Sequence, residues 1–171
     1  MDLEKNQIES IASNSFEDLR QLKYLELAGN QIKTIDPQWF VSLSNLEKLL
    51  LNENKIEHLD ENVFDNLPNL VTILLDNNQL KTIPLNLLKN KNKLKWFGLS
   101  FNQIQIANYV TFDQLETIVD LAGNVCANKR YVKYEVDGNP EIGDKSDLKK
   151  DLDANCTQTL ELSPQNWLPF K

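Results

Sequence analysis

Histidine occurs once in this 171-residue chain, cysteine twice and glycine five times. One imidazole cannot assemble a metal site or a catalytic triad by itself, and His58 stands alone, four residues after Asn54. Its expected place is exposed surface. Scarce glycine argues against phosphate-cradling loops, and neither a Gly-x-Ser-x-Gly turn nor a pair of acids at matched positions is present. Apolar runs stop short of the ~18 residues that a membrane span needs. Positive charge is outweighed, 18 Lys and Arg against 25 Asp and Glu for a net charge of −7, which argues against nucleic acid as the general partner. Met1 is followed at once by Asp2, Glu4 and Lys5, without the apolar stretch of a secretory signal. No catalytic residue, cofactor or metal ligand stands out. The 41% hydrophobic content is that of an ordinary globular chain, long enough for one sizeable core.

What is present is a repeat. Asn6, Asn30, Asn54, Asn78 and Asn102 follow one another at a spacing of 24. Three residues before each stands Leu3, Leu27, Leu51, Leu75 or Leu99, and five before stands Met1, Leu25, Leu49, Ile73 or Phe97. Leu22, Leu46, Leu70 and Leu94 lie eight before, while Ile8, Ile32, Ile56, Leu80 and Ile104 lie two after. Ten after comes Phe16, Phe40, Phe64, Leu88 or Phe112, and thirteen after comes Leu19, Leu43, Leu67, Lys91 or Leu115. A degenerate sixth unit, Val119, Leu121 and Asn124, follows at a spacing of 22. A fixed period of this length is the signature of a solenoid in which each turn buries its neighbours' apolar columns.

The pattern L-x-x-L-x-L-x-x-N-x-I/L resembles the leucine-rich repeat, in the 24-residue form with a downstream phenylalanine common in extracellular animal proteins. The resemblance spans residues 1 to about 125. It implies an α/β solenoid: a right-handed horseshoe with one short strand per turn, stacked into a parallel concave sheet, and a small C-terminal cap. The asparagine would sit inside a bend and pair backbone groups of adjacent turns that would otherwise be buried unsatisfied. The phenylalanines would stack opposite the sheet, with Leu88 and Lys91 predicting an irregular fourth turn. Met1 falls in a core column.

In the stretch Ile73-Leu74-Leu75 the period-2 rule sends Ile73 and Leu75 inward and Leu74 out onto the concave face. The same outward column holds Asp2, Glu26, Leu50, Gly98 and Asp120, and the next holds Tyr24, Lys48, Thr72, Trp96 and Ile118. Leu50, Leu74 and Trp96 are thus expected to form an apolar patch, with a notch at Gly98, a rim of Tyr24, Lys48, Asp76 and Phe101, and an acidic end at Asp2, Glu4 and Glu26. An exposed patch with aromatic anchors and a polar rim is the usual form of a protein-binding surface. Three readings stand: a protein partner binds there, the face is covered by the chain's own tail or by a second copy in a homodimer, or a few leucines are simply tolerated. The run Lys89-Asn90-Lys91-Asn92-Lys93-Leu94-Lys95 reads as a solvated loop, with an anionic glycan or membrane surface as the sharper alternative.

The first unit begins in mid-repeat, which suggests a chain truncated upstream of Met1. At the far end, Val132, Tyr134 and Val136 alternate like a strand, Asp137-Gly138 and Asn139-Pro140 are turn signals, and Ser146 can cap a short helix carrying Leu148, Leu152 and Cys156. That spacing directs Cys156 toward Cys126. The arrangement resembles the cysteine-flanked C-terminal cap of secreted leucine-rich repeat proteins, insect haemolymph proteins among them, with two cysteines instead of four. The resemblance implies a Cys126–Cys156 disulfide and an extracellular location. Two reduced thiols in an intracellular scaffold is the alternative. The expected organisation is repeats over 1–125, a cap over 126–156 and a tail over 157–171.

Overall fold

The computed structural model describes residues 1–105, 107, 118–125, 130–132, 142–144 and 150. Five strands of three residues each form a parallel sheet: β1 (Tyr24–Glu26), β2 (Lys48–Leu50), β3 (Thr72–Leu74), β4 (Trp96–Gly98) and β5 (Ile118–Asp120). The register carries the repeat directly into space, with Leu25 opposite Leu49, Leu49 opposite Ile73, Ile73 opposite Phe97 and Phe97 opposite Val119. Ahead of β1, the first turn contributes a single parallel bridge between Asp2 and Glu26. Beyond β5 the sheet goes on with β6 (Arg130–Val132), antiparallel to β5, and β7 (Ile142–Asp144), parallel to β6. Cys126 and Cys156, the tail and nearly all of the expected cap helix lie outside the described residues; Lys150 alone is described there, and it is helical.

Each strand is short because only its middle residue and the leucine after it point inward. Leu25, Leu49, Ile73, Phe97 and Val119 are buried, as are Leu27, Leu51, Leu75, Leu99 and Leu121. With turns about 4.8 Å apart, each leucine packs on the leucines of the turns above and below, and the core is one continuous column.

The asparagines close the ladder. Asn78 Oδ1 accepts from Ile56 N at 2.9 Å, while its Nδ2 donates to Leu51 O at 2.9 Å and Leu75 O at 3.0 Å. The same bonds recur at Asn30, Asn54 and Asn102, and Asn124 binds Ile104 N across the shortened sixth spacing. Just before each asparagine the backbone turns left-handed, at Lys5, Gly29, Glu53, Asn77, Phe101 and Gly123. That conformation reverses the chain so that the asparagine enters the coil; it would strain a β-branched residue at each of the six positions, and none is one. A second, shorter ladder runs along the opposite end of the strands: Asn45 Nδ2 donates to Arg20 O and Asn69 Nδ2 to Ser44 O, both at 2.9 Å.

On the side opposite the sheet, Phe16, Phe40 and Phe64 are buried and the rings of Phe40 and Phe64 lie 6.4 Å apart. In the second turn a 3₁₀ helix, Pro37–Phe40, is capped by Asp36, whose carboxylate accepts from Gln38 N and from the Ser13 hydroxyl. Trp39 is buried there, its indole N–H donating to Ile11 O at 3.0 Å.

Three expectations need correction. Met1 is 48% exposed, because the first turn has a neighbouring turn on one side only. Lys91 is not a solvated loop residue: it is 2% exposed, in the column that Leu43 and Leu67 occupy, while Lys89, Asn90, Asn92, Lys93 and Lys95 around it are exposed. The fourth turn's backbone bonds also repeat those of its neighbours, Leu94 N to Lys91 O matching Leu46 N to Leu43 O. The local departure is the left-handed backbone of Asn90.

Candidate functional site on the concave sheet

The outward residues of the strands make the concave face. Leu50, Leu74 and Trp96 are half-buried and open to it, Leu50 beside Leu74 in register and Thr72 beside Trp96. Between β3 and β5 the face dips into an open groove of about 460 Å³ lined by Thr72, Leu74, Asp76, Trp96, Ser100 and Asp120. Leu74, Asp76 and Trp96 were expected on this face as binding residues. Thr72, Ser100 and Asp120 were not, although each stands in an outward column.

Glycine 98 explains the groove. It occupies the position of Leu74 on β3 and Asp120 on β5. The expected notch is not empty, however. Asp76 leans across from the preceding turn: its Oδ1 accepts from Ser100 N at 2.9 Å and from the Ser100 hydroxyl at 2.6 Å, and its Cγ lies 2.9 Å from where a Cβ on residue 98 would stand. Any side chain at 98 would displace that carboxylate. Asp120 lies on the other side of Gly98, is buried, and accepts from Ala122 N at 3.2 Å. Two carboxylates therefore share the floor of the groove, with the indole of Trp96 and the side chain of Leu74 as its apolar walls.

The remaining rim residues lie apart from the groove. Tyr24 is half exposed, and the Lys48 ammonium sits 5.4 Å from the centre of its ring, a cation–π pair at the edge of the sheet. Phe101, 62% exposed, is held by its left-handed backbone beyond the strand end, where its ring lies against Gly123 of the next turn. At the opposite end of the face Asp2, Glu4 and Glu26 converge. Burial, reinforced by the charges of Glu4 and Asp2, raises the Glu26 carboxyl above the ordinary glutamate range. His58 is exposed, away from the sheet. Among the described residues no group of three or more His, Cys, Asp or Glu side chains is arranged to hold a metal ion, and no helix is long and apolar enough to cross a membrane.

Residues 1–54 and 30–80 match the family model described as leucine rich repeat. No curated protein matches the sequence. Among solved structures, the leucine-rich repeat domain of APL1B superposes with a TM-score of 0.68 at 22% identity, over 84% of this chain and 45% of that one. The LRIM1/APL1C complex gives 0.69 at 22% identity, over 84% and 28%, and the TLR13–ssRNA13 complex gives 0.65 at 28% identity, over 70% and 17%. This chain thus spans less than half the length of each. The repeats of residues 1–80 are leucine-rich repeats, and the fold they begin is that of a leucine-rich repeat solenoid.

Proposed function

We propose that this chain recognises a protein partner through its concave sheet, outside the cell. The carrying observation is the groove itself: a preformed depression at the sheet's centre, apolar at Leu74 and Trp96 and polar at Asp76, Ser100 and Asp120, which is the composition of a recognition surface. Leu50, Leu74 and Trp96 are the anchors, and Tyr24, Lys48, Asp76 and Phe101 shape the surroundings. Extracellular location and an innate-immune or receptor-like context rest on the likeness of the 24-residue repeat and the C-terminal cap to those of secreted proteins, and a disulfide between Cys126 and Cys156 rests on the likeness of the cap alone. The TLR13 structure at 28% identity is a complex with RNA. Carriage of nucleic acid on this face is disfavoured, because the groove's charged residues are carboxylates and the chain carries a net charge of −7.

A photo-crosslinking residue placed at Thr72, compared with one at His58 away from the sheet, tests the proposal in extracellular fluid. The Thr72 probe should form an adduct with a different protein, and Leu74→Asp should abolish it. Adducts of equal yield from both positions would reject the proposal. An adduct with a second copy of the chain, with a solution mass that Leu74→Asp halves, would assign the face to a homodimer instead. Counting reactive thiols without reductant tests the compartment: two free thiols contradict the secreted reading.

A further inference from the structure

We propose that the lysine-rich run of the fourth turn, residues 89–95, binds a sulfated polysaccharide. This goes beyond the concave-face reading, shares with it the extracellular location alone, and uses a different part of the coil. The first argument is charge. Four of the run's seven residues are lysines and none is acidic, in a chain of net charge −7. Lys89, Lys93 and Lys95 are exposed. Lys5 and Lys23 each pair with an acid, Glu4 and Glu47, at 2.8 Å. Lys89, Lys93 and Lys95 form no ion pair among the described residues. Asp65 stands one turn before Lys89 in the same column, and its charge acts on Lys91.

The second argument is how the fold holds these charges. Lys93 takes the position that Asn45 and Asn69 hold in the two preceding turns, and its ammonium donates to Asn69 Oδ1 at 2.6 Å. That neutral acceptor fixes the head without cancelling its charge. At Asn90 the backbone is left-handed, and among the described residues no other such position lies outside the column that precedes the asparagines. There the chain turns Lys91 into the coil, 2% exposed, with its ammonium 3.3 Å from Lys89 O. A covered charge is screened by salt much less than a surface one, so it adds to the field that an anion meets over the run. The third argument separates one polyanion from another. A lipid surface takes up apolar side chains from a bound segment, and single-stranded nucleic acid stacks its bases on aromatic rings. The exposed residues of the run are Lys89, Asn90, Asn92, Lys93 and Lys95, which supply neither. Compact, hydrated ammonium groups suit hydrated sulfates, and the asparagine amides can donate to and accept from sugar hydroxyls. Lys93 and Lys95, two residues apart, span at most about 7 Å of backbone, so one polymer chain can reach both.

Binding to heparin, measured beside desulfated heparin, tests this on the wild-type chain and on Lys89→Gln/Lys93→Gln/Lys95→Gln. A second triple, Lys33→Gln/Lys55→Gln/Lys81→Gln, removes three exposed lysines elsewhere for the same change in net charge. Melting temperatures show that the variants fold, and Lys89→Gln/Lys95→Gln, which leaves the Lys93 bond to Asn69 in place, serves if the first triple does not. Wild type should bind heparin and not its desulfated form. The first triple should lose about tenfold or more in affinity, and the second far less. No binding by wild type, equal binding to desulfated heparin, or equal losses in the two triples would overturn the inference. Tighter binding through the same lysines to phosphatidylserine vesicles or to single-stranded DNA would overturn it too, and would assign the run to that polyanion. Leu74→Asp should bind heparin as wild type does, so failure here leaves the concave-face reading standing, and failure of that reading leaves this one.

Discussion

Replacing Asn78 by alanine isolates the contribution of one rung of the ladder. The side chain is buried and makes four contacts: Oδ1 accepts from Ile56 N at 2.9 Å, and Nδ2 reaches Leu51 O at 2.9 Å, Leu75 O at 3.0 Å and Asp76 O at 3.3 Å. The three carbonyls each keep another donor after the substitution: Leu51 O keeps Asn54, Leu75 O keeps Asn102 and Asp76 O keeps Glu53 N. Ile56 N loses its acceptor. One orphaned buried N–H costs about 1–3 kcal/mol, and the weakened carbonyl contacts add to it, so a loss of about 3 kcal/mol is expected. For a chain of this size that is roughly 6–12 °C of melting temperature. Urea unfolding of Asn78→Ala beside Asn6→Ala provides the internal control. Asn6 is exposed and bonds only to Leu3 O and Glu4 O within its own turn, so its loss should cost less than about 0.5 kcal/mol, as surface substitutions do. Asn78→Asp separates the two halves of the amide: it keeps the acceptor for Ile56 N but sets a carboxylate against three carbonyls, and it should be at least as damaging as alanine. Equal stability of Asn78→Ala and Asn6→Ala would refute the assignment of the asparagines as the groups that satisfy the buried backbone.

Other perturbations have equally definite outcomes. Lys91→Leu should raise stability by about 1–3 kcal/mol, since it restores an aliphatic side chain to a buried column. Burial lowers the Lys91 pKa, opposed by the charge of Asp65. The folded state therefore holds that proton less tightly than the unfolded one, the penalty is present at neutral pH, and the stability gap between Lys91→Leu and wild type should narrow as pH rises toward the ordinary lysine range. A gap independent of pH would contradict this. The Glu26 carboxyl shifts the other way: its folded pKa is raised, so its contribution to stability is greatest below the ordinary carboxylate range and is lost as pH rises through the folded value. Glu26→Gln should thus stabilise slightly at neutral pH, by a few tenths of a kcal/mol, and not at pH 3; denaturant midpoints at the two pH values decide. Gly98→Ala drives a methyl into the Asp76 carboxylate and should cost about 1–3 kcal/mol, with the amide resonance of Ser100 moving in nuclear magnetic resonance spectra. An unmoved Ser100 resonance would contradict the contact.

The repeat was legible because one column of residues does one job in every turn. Leu25, Leu49, Ile73 and Phe97 are buried, and the asparagine beside each bonds across turns, because neither burial nor backbone pairing depends on anything but the period. Outward placement of Leu74 followed from the pleat alone. The groove's floor was harder to see. Asp76 lies over Gly98 by a side-chain rotamer and a bond to Ser100 one turn away, and no periodicity encodes a rotamer. The available signal was an aspartate following β3 and another on β5 with a glycine between them in the stack. Lys91 was misplaced because the alternating lysines and asparagines around it read as a solvated loop; instead the whole residue is covered, with its ammonium 3.3 Å from Lys89 O. The Asn45 and Asn69 ladder went unseen because it occupies two turns only. Strand β7, Ile142–Asp144, follows turn signals at Asn139-Pro140 and has a glycine at its centre, so neither alternation nor propensity marked it.

Residue-resolved carbene footprinting of the free chain tests the central arrangement most directly, since it reads side-chain exposure along β2, β3 and β4 without a partner. Leu50, Leu74 and Trp96 should be labelled well above Leu49, Ile73 and Phe97, which are fully buried. Equal labelling of the two sets, or the reverse order, would contradict a solenoid that turns those three side chains toward a binding partner.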